Sequence, residues 1–394
     1  MKTKIGVFFG GRSVEHEISV ISALQAIDAL DKEKYEAIPI YITKQGLWYT
    51  GPGLLESSNY RDMARLVRNA AAVYMLPEFG NHKLYKKGGC FGPKAVVEMD
   101  IALPVLHGTN GEDGTVQGFL ELTGIPYAGC CVLASAVGMD KIAMKMMLRQ
   151  SGVPVIDYVW FTDKQWGAER DGLTAAIEKK IGYPAIVKPA NLGSSVGISR
   201  ATDRESLVRA IGTAQQYSPR ILVEKMIDPL REINCSVLGT ADSHRTSACE
   251  EPLRSGEILS YADKYMSGGK NSKGMQSTKR RIPADLPGDT ADEIRRLASE
   301  TFRVLSCDGV ARVDFILDEK AGKIYVNEIN TIPGSLSFYL WEATGVSFAE
   351  LMDTLVNQAL KRAREKEQKT VSYDQNIFSM GGTGKGGGKF TGKK

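Results

Sequence analysis

The chain has 394 residues, long for one domain and comfortable for two or three. Apolar residues make up 43% and charged residues 24%, with a formal net charge of +4, the balance of an ordinary soluble globular protein. No basic stripe with interleaved aromatics runs through the body, which argues against a nucleic-acid binder, and no apolar stretch approaches ~20 residues, which argues against a membrane span.

The N-terminal run KIGVFF (4–9) reads as a first strand ending at Gly10-Gly11, not as a signal peptide. Ser13 is then expected to cap a helix carrying Val14, Ile18, Ile21 and Leu24. EAIPIYIT (36–43) and DIALPVLHG (100–108) read as further strands, and residues 50–95 follow no clear pattern. This alternation predicts an open, mainly parallel α/β unit over 1–129. After the glycine-rich HGTNGEDG, the segment ASAVGMDKIAMKMML (134–148) has helical periodicity. YVWF, a helix near 173–181, PAIVKP, a helix near 204–213 and ILVEKM predict a small central α+β unit over 130–224. Residues 225–370 hold EINCSVLG, a polar loop at 261–281, a helix around 291–305 and two closing strands, an α+β unit with a mainly antiparallel sheet. Its last helix is expected to bury Phe348, Leu351, Leu355 and Ala359. The tail, 371–394, is glycine- and lysine-rich and reads as disordered; its GGKFTGKK nearly matches a P-loop but ends in Lys394 where Ser or Thr belongs. Six scattered cysteines, including Cys90, form no CxxC pair, so neither a zinc site nor a disulfide framework is indicated. A reducing, cytoplasmic setting is expected.

Two stretches carry chemistry. PAIVKPANLGSSVGIS (184–199) has the parts of a phosphate cradle, yet Lys188 precedes the glycines, the reverse of a P-loop. In GVARVDFILDEKAGKIYVNEIN (309–330), two β-type runs flank a turn-like DEKAGK and predict a hairpin. With the turn centred near 321, Asp314 faces Glu328 and Arg312 faces Asn330. Opposed carboxylates repel unless a cation lies between them. Asp, Glu and Asn supply the hard oxygens that Mg²⁺ prefers, although a single such pair is often just a solvated face. Lys141, Lys188 and the GSS loop with Ser194 and Ser195 could meet phosphates, and Glu224-Lys225 could meet ribose or adenine. Each lysine alone is commonly a surface charge; together they suggest a nucleotide held between two β-rich units.

Eight stretches, in order, resemble the ATP-grasp enzymes and specifically the D-alanine–D-alanine ligase family. They are GGRSVEHEISVISA, LHGTNGEDGTVQG, MDKIAMK, IVKPANLGSSVG, VEKMI with REINCSV, the YADKY loop, ARVDF and VNEINTIPGS. The resemblance implies ligation of two D-alanines through a D-alanyl phosphate. It implies ATP on Lys141, Lys188, Ser194, Ser195, Lys225 and Lys264, with Glu224 and Glu232 on adenine and ribose. It implies two Mg²⁺ ions, with Mn²⁺ as a substitute, on Asp314, Glu328 and Asn330. Glu15 would receive the first ammonium, linked to Ser194 and Tyr265 to close the lid at 261–281. His107 would lie near the first substrate, and Arg312 with the Gly334 backbone would stabilise the oxyanion. The family pattern further implies a cytoplasmic homodimer acting in peptidoglycan synthesis. One departure stands out: Tyr339 falls where many members carry a serine for the second substrate, leaving Ser335, Leu336 or Ser337 as candidates. D-serine or D-lactate as second substrate is the alternative, the latter disfavoured by the Lys264-Tyr265 pair. A two-lobed binding protein and a dinucleotide oxidoreductase are disfavoured by the acid-rich hairpin and by the lack of GxGxxG after the first strand.

Overall fold

The computed structural model describes residues 1–88, 92–193, 195–253 and 280–372. Its first sheet contains β1 (Thr3–Gly10), β2 (Tyr35–Ile42), β3 (Trp48–Thr50), β4 (Ala71–Tyr74), β5 (Lys83–Lys86), β6 (Lys94–Glu98) and β7 (Ile101–Pro104), in the spatial order 6-5-4-3-2-1-7. Strands β2, β1 and β7 run parallel, as the sequence suggests. Residues 48–98 extend the sheet with four short antiparallel strands, so the parallel part is its inner edge. Strand β1 is buried on both faces, with Ile5, Val7 and Phe9 in one core and Phe8 in another.

Helix α1 (His16–Ala29) begins later than expected. Ser13 does not cap it; its hydroxyl accepts from Glu15 N at 3.1 Å and closes the turn before the helix, which places Glu15 at the cap position. Val14 is exposed, and the buried face runs through Ile18, Ser22, Ala23 and Ala26, the last three small enough to let α1 pack closely. Helix α2 (Met63–Asn69) lies among the short strands, and α3 (Thr115–Thr123) follows the HGTNGEDG loop. The 134–148 pattern is two helices, α4 (Val132–Met139) and α5 (Lys141–Gln150), broken where the Asp140 side chain accepts from Ile142 N and Ala143 N.

The second sheet is antiparallel, with β8 (Tyr158–Thr162), β9 (Ala185–Pro189), β10 (Ser199–Ala201) and β11 (Arg220–Lys225) in the order 10-9-11-8. One face packs on α6 (Asp163–Lys180) and α7 (Arg204–Ala214). The third sheet is also antiparallel, with β12 (Arg231–Gly239), β13 (His244–Pro252), β14 (Arg280–Arg281), β15 (Gly309–Asp318) and β16 (Lys323–Asn330) in the order 14-13-12-15-16. One face packs on α5 and α8 (Gly288–Val304). Helices α9 (Phe338–Glu342) and α10 (Phe348–Glu367) return to the first sheet, where Trp341, Leu351, Leu355 and Ala359 join the β1 core. Phe348 is only half-buried and stacks on Phe338 at 4.4 Å between ring centres. No described helix is long and apolar enough to cross a membrane. The lid residues 261–279, with Lys264 and Tyr265, and the tail from 373 lie outside the described residues, as do Cys90 and Ser194.

Gly10 ends β1 at φ +89°, and a Cβ there would lie 2.3 Å from the Ile42 carbonyl oxygen. Gly10→Ala is expected to lose roughly 2–4 kcal/mol, from the left-handed backbone and from overpacking against main chain. A denaturant-midpoint shift below a quarter of that size would show that the turn yields.

Candidate active site

Alternation along the strands builds a cleft between the second and third sheets. On β9, Ala185 and Val187 face α6 and α7, so Ile186 and Lys188 face the other way. On β11, Ile221 and Val223 are core, so Leu222 and Glu224 share the Lys188 side. On the third sheet, Ile233, Val313 and Phe315 lie under α5 and α8, which turns Glu232, Arg312, Asp314 and Ile316 away from that core. The resulting cavity has an apolar end with Ile156, Met226, Leu230 and Ile316, and a charged end with Lys141, Lys188 and Glu328. Glu232, Lys225 and Ser195 also line it.

Glu224 lies buried between two ammonium groups, with Lys145 Nζ at 2.6 Å from one oxygen and Lys188 Nζ at 2.6 Å from the other. Burial alone would raise its carboxyl; the two lysines outweigh that and hold it down at about 2. Burial pulls the Lys145 ammonium below its usual range despite Glu224. Lys188 is raised, because Glu224, Glu328 and Glu232 outweigh its own desolvation. Glu224 lines the cleft with both of its oxygens engaged by ammonium groups, and so it orders the lysines. Lys145 was not singled out from sequence, although it stands one helical turn after Lys141 and so on the same face. Lys141 Nζ donates to Leu192 O at 2.8 Å and lies 3.3 Å from Glu328, linking the 190s loop to β16.

The hairpin register agrees with expectation at the functional end: Arg312 pairs with Asn330 and Asp314 with Glu328. Nearer the turn the pairing slips by one residue, at a bulge between Asp314 and Phe315. The bulge puts adjacent residues Asn327 and Glu328 into one cavity, which regular alternation forbids, and Lys188 donates to Asn327 Oδ1 at 3.1 Å. Arg312 holds Asp314 through two bonds, of 2.6 and 2.8 Å, and Asn330 donates to Asp314 at 3.0 Å. Burial opposes the Arg312 charge, but Asp314 keeps the guanidinium well above its ordinary range. Among the described residues no group of three or more His, Cys, Asp or Glu side chains converges on one point. Two opposed carboxylates and the Asn330 amide oxygen still fit a hard divalent cation that takes its remaining oxygens from a bound phosphate.

A second, smaller cavity joins this hairpin to the first sheet, lined by Glu15, Glu112, Gly193, Glu328 and Asn330. A Cβ on Gly193 would lie 3.2 Å from a Glu15 carboxylate oxygen, so the loop carrying Ser194 and Ser195 reaches Glu15. Ser195 has φ +59°. His107 is fully buried, and its tautomer is determined by its partners. Nδ1–H donates to Ile332 O at 2.8 Å, while Nε2 accepts from Ser22 Oγ at 2.9 Å. Burial pushes its pKa down to about 4. Gly334 opens a turn in which Ser335, Leu336 and Ser337 all have positive φ, 52°, 50° and 53°. Leu336 is buried, its side chain part of the same core as Trp341 and the β1 residues Ile5 and Val7. Tyr339 is likewise buried, with its hydroxyl 3.4 Å from Glu250 and Arg280 over its ring at 4.1 Å.

Lys145→Met would leave Glu224 with one cation, and we expect a stability loss of roughly 3 kcal/mol together with a rise in the Glu224 pKa from about 2. An unchanged denaturation midpoint would mean that the pair breaks even. His107 is neutral in the fold down to about pH 4, whereas in the unfolded chain it protonates near 6.5. The unfolded state thus binds the extra proton, and stability falls as pH drops from 6.5 toward 4, by up to roughly 3 kcal/mol. In His107→Gln that slope should flatten, measured by denaturant titration across the window.

Comparison with known proteins follows the same division of the chain. The family model for the D-ala D-ala ligase N-terminus matches residues 4–130, and that for the D-ala D-ala ligase C-terminus matches 147–357. The chain is 40% identical over 376 residues to a D-alanine–D-alanine ligase of Thermosipho melanesiensis, covering 95% of this chain and 98% of that one. It is 42% identical over 381 residues to that of Natranaerobius thermophilus, covering 95% and 100%. Among solved structures, the D-alanine-D-alanine ligase from Coxiella burnetii superposes with TM-score 0.75 at 30% identity, covering 93% of this chain and 96% of that one. The VanG D-Ala:D-Ser ligase from Enterococcus faecalis superposes at 0.76, also at 30%, covering 91% and 100%. The chain belongs to the D-alanine–D-alanine ligase family.

Proposed function

We propose that this chain joins two D-alanine molecules into D-alanyl-D-alanine at the expense of ATP, through D-alanyl phosphate, with release of ADP and phosphate, for peptidoglycan precursor synthesis. One observation carries the reading: a lysine-rich cleft meets an opposed-carboxylate hairpin, and beside them a buried Glu15 adjoins the glycine loop. The triphosphate would follow Lys141 and Lys188, and the apolar end of the cleft would take adenine. Glu232 and Lys225 would meet the ribose, and Ser195 the phosphates.

Asp314, Glu328 and Asn330 would hold Mg²⁺, two ions with Mn²⁺ as a substitute, which would neutralise charge on the transferring phosphoryl group. Glu15 would receive the ammonium of the first D-alanine and orient its carboxylate toward the γ-phosphate. Arg312 and the Gly334 N–H would donate to the oxyanion formed when the second amine attacks the acyl phosphate. A lid over 261–281, with Lys264 and Tyr265 linked through Ser194 to Glu15, would keep water from the acyl phosphate. We take residues 1–129, 130–224 and 225–370 as the three units, and the molecule as a cytoplasmic homodimer paired through the first unit.

Relatives at 40–42% identity carry the D-alanine–D-alanine name, which favours D-alanine over D-serine as the second substrate. With Mg-ATP, phosphate release should require D-alanine and fail with L-alanine, with dipeptide formed in step. A product made mainly from D-serine or D-lactate when each competes with D-alanine would overturn the assignment. Glu15→Gln should raise the KM for the first D-alanine by roughly 10- to 100-fold, the scale of one charged hydrogen bond, with the ATP KM within about twofold of wild type. A change confined to the ATP KM would remove Glu15 from the ammonium site.

A further inference from the structure

The residues around Gly334 are gripped by three side chains from two parts of the fold. Glu112 lies in the HGTNGEDG loop and is 8% exposed. One of its carboxylate oxygens accepts from Gly108 N at 2.8 Å, the other from Ile332 N at 3.0 Å. His107, from the same loop, donates to the Ile332 carbonyl at 2.8 Å, so both polar groups of this residue are held by one loop. From α1, Ser22 Oγ accepts from Ser335 N at 2.9 Å and donates to His107 Nε2. Between the two clamped positions lies Gly334, and after it come three successive left-handed residues. Such residues cost of order 1–3 kcal/mol each and persist only where the surroundings over-determine them.

We propose that Glu112 is a positioning residue for the oxyanion step: by bridging Gly108 N and Ile332 N it fixes, together with His107 and Ser22, the direction in which the Gly334 N–H points. This rests on the ligase reading above, in which Gly334 meets the oxyanion. The acceptor requirement is strict. Two N–H groups face the two oxygens, so an amide in this place offers one acceptor and turns its NH₂ against a donor. Glu112→Gln therefore keeps size and removes one bond, releasing one end of the clamp. Glu112 also lines the small cavity beside Glu15; burial, and after it the Glu15 charge, pushes the Glu112 carboxyl pKa up, against the Gly108 and Ile332 N–H groups that pull it down.

The clamp acts on the second chemical step and not on phosphoryl transfer, which creates no oxyanion at carbon. In rapid-quench experiments on the full chain with Mg-ATP and D-alanine, Glu112→Gln should show first-turnover ADP formation within about twofold of wild type. Steady-state dipeptide formation should fall by ~10- to 100-fold, the scale of a misplaced donor, with the ATP KM unchanged. Ser22→Ala, a smaller change, should show the same split with a smaller loss, and it keeps the test open if Glu112→Gln does not fold. Equal loss of ADP formation and dipeptide formation, or unchanged kinetics in a folded but less stable variant, would reduce Glu112 to a loop tie. If wild-type enzyme forms neither ADP nor dipeptide, the ligase reading itself falls, an outcome separate from any difference between variant and wild type.

Discussion

The buried Lys145–Glu224–Lys188 cluster is the constraint on which the site depends. A carboxylate this deep is stable only because two ammonium groups flank it, and each lysine is stable there only because of the carboxylate. The three come from α5, β9 and β11, so the cluster ties a helix packed on the third sheet to strands of the second. It thereby sets the width of the cleft before any ligand enters. Lys188 reaches across to Asn327 and Lys141 to Glu328, which extends the same network onto the hairpin.

Charge balance limits what such a site can take up. Lys141, Lys145, Lys188, Lys225 and Arg312 give five positive charges; Glu224, Glu232, Asp314 and Glu328 give four negative ones. A triphosphate would add several negative charges to this nearly balanced set, so it would be best accommodated when cations arrive with it. Asp314 and Glu328 are already held by Arg312 and Lys141. If the hairpin holds a metal as proposed, these carboxylates would pass to it and both cations would turn toward the ligand, so metal and nucleotide binding would be coupled through the ion pairs.

Much of this was legible in the sequence, and the reasons differ by element. The hairpin register at Asp314 and Glu328 followed from the turn position and the period of two, because one slipped residue would put the acids on opposite faces. The bulge beside it left no mark, since an inserted residue looks like any other strand residue, and Asn327 was missed with it. Residues 48–98 escaped because their strands, at three to five residues, are too short to show alternation. Ser13 looked like a cap by type, but its hydroxyl closes the turn ahead of the helix and leaves Glu15 at the cap position. The pairing of Glu224 with Lys145 left no mark, because a lysine within MDKIAMKMML reads as one more polar position of a helix.

Glu112 and Ser22 were hidden for a different reason: each sits inside a motif that had already been read, and neither carries the motif's expected chemistry. Their partners are backbone groups of Ile332 and Ser335, more than 200 residues away along the chain. Side-chain pairing leaves a trace in residue type on both sides, whereas a backbone N–H leaves none, so no pattern in 331–337 announces what holds it. The strained turn is the visible consequence. Ser335, Leu336 and Ser337 are not residues that choose φ > 0 on their own, and a local reading would place none of them there. Distant acceptors at Ser22 and Glu112 impose the turn, and Leu336 locks it by burying its side chain in the β1 core. The backbone beside Gly334 is thus shaped by the first sheet, while Arg312 is aimed by the third. The two donors proposed for one oxyanion are held by independent parts of the fold, and their alignment depends on the packing of α9 and α10 that joins those parts.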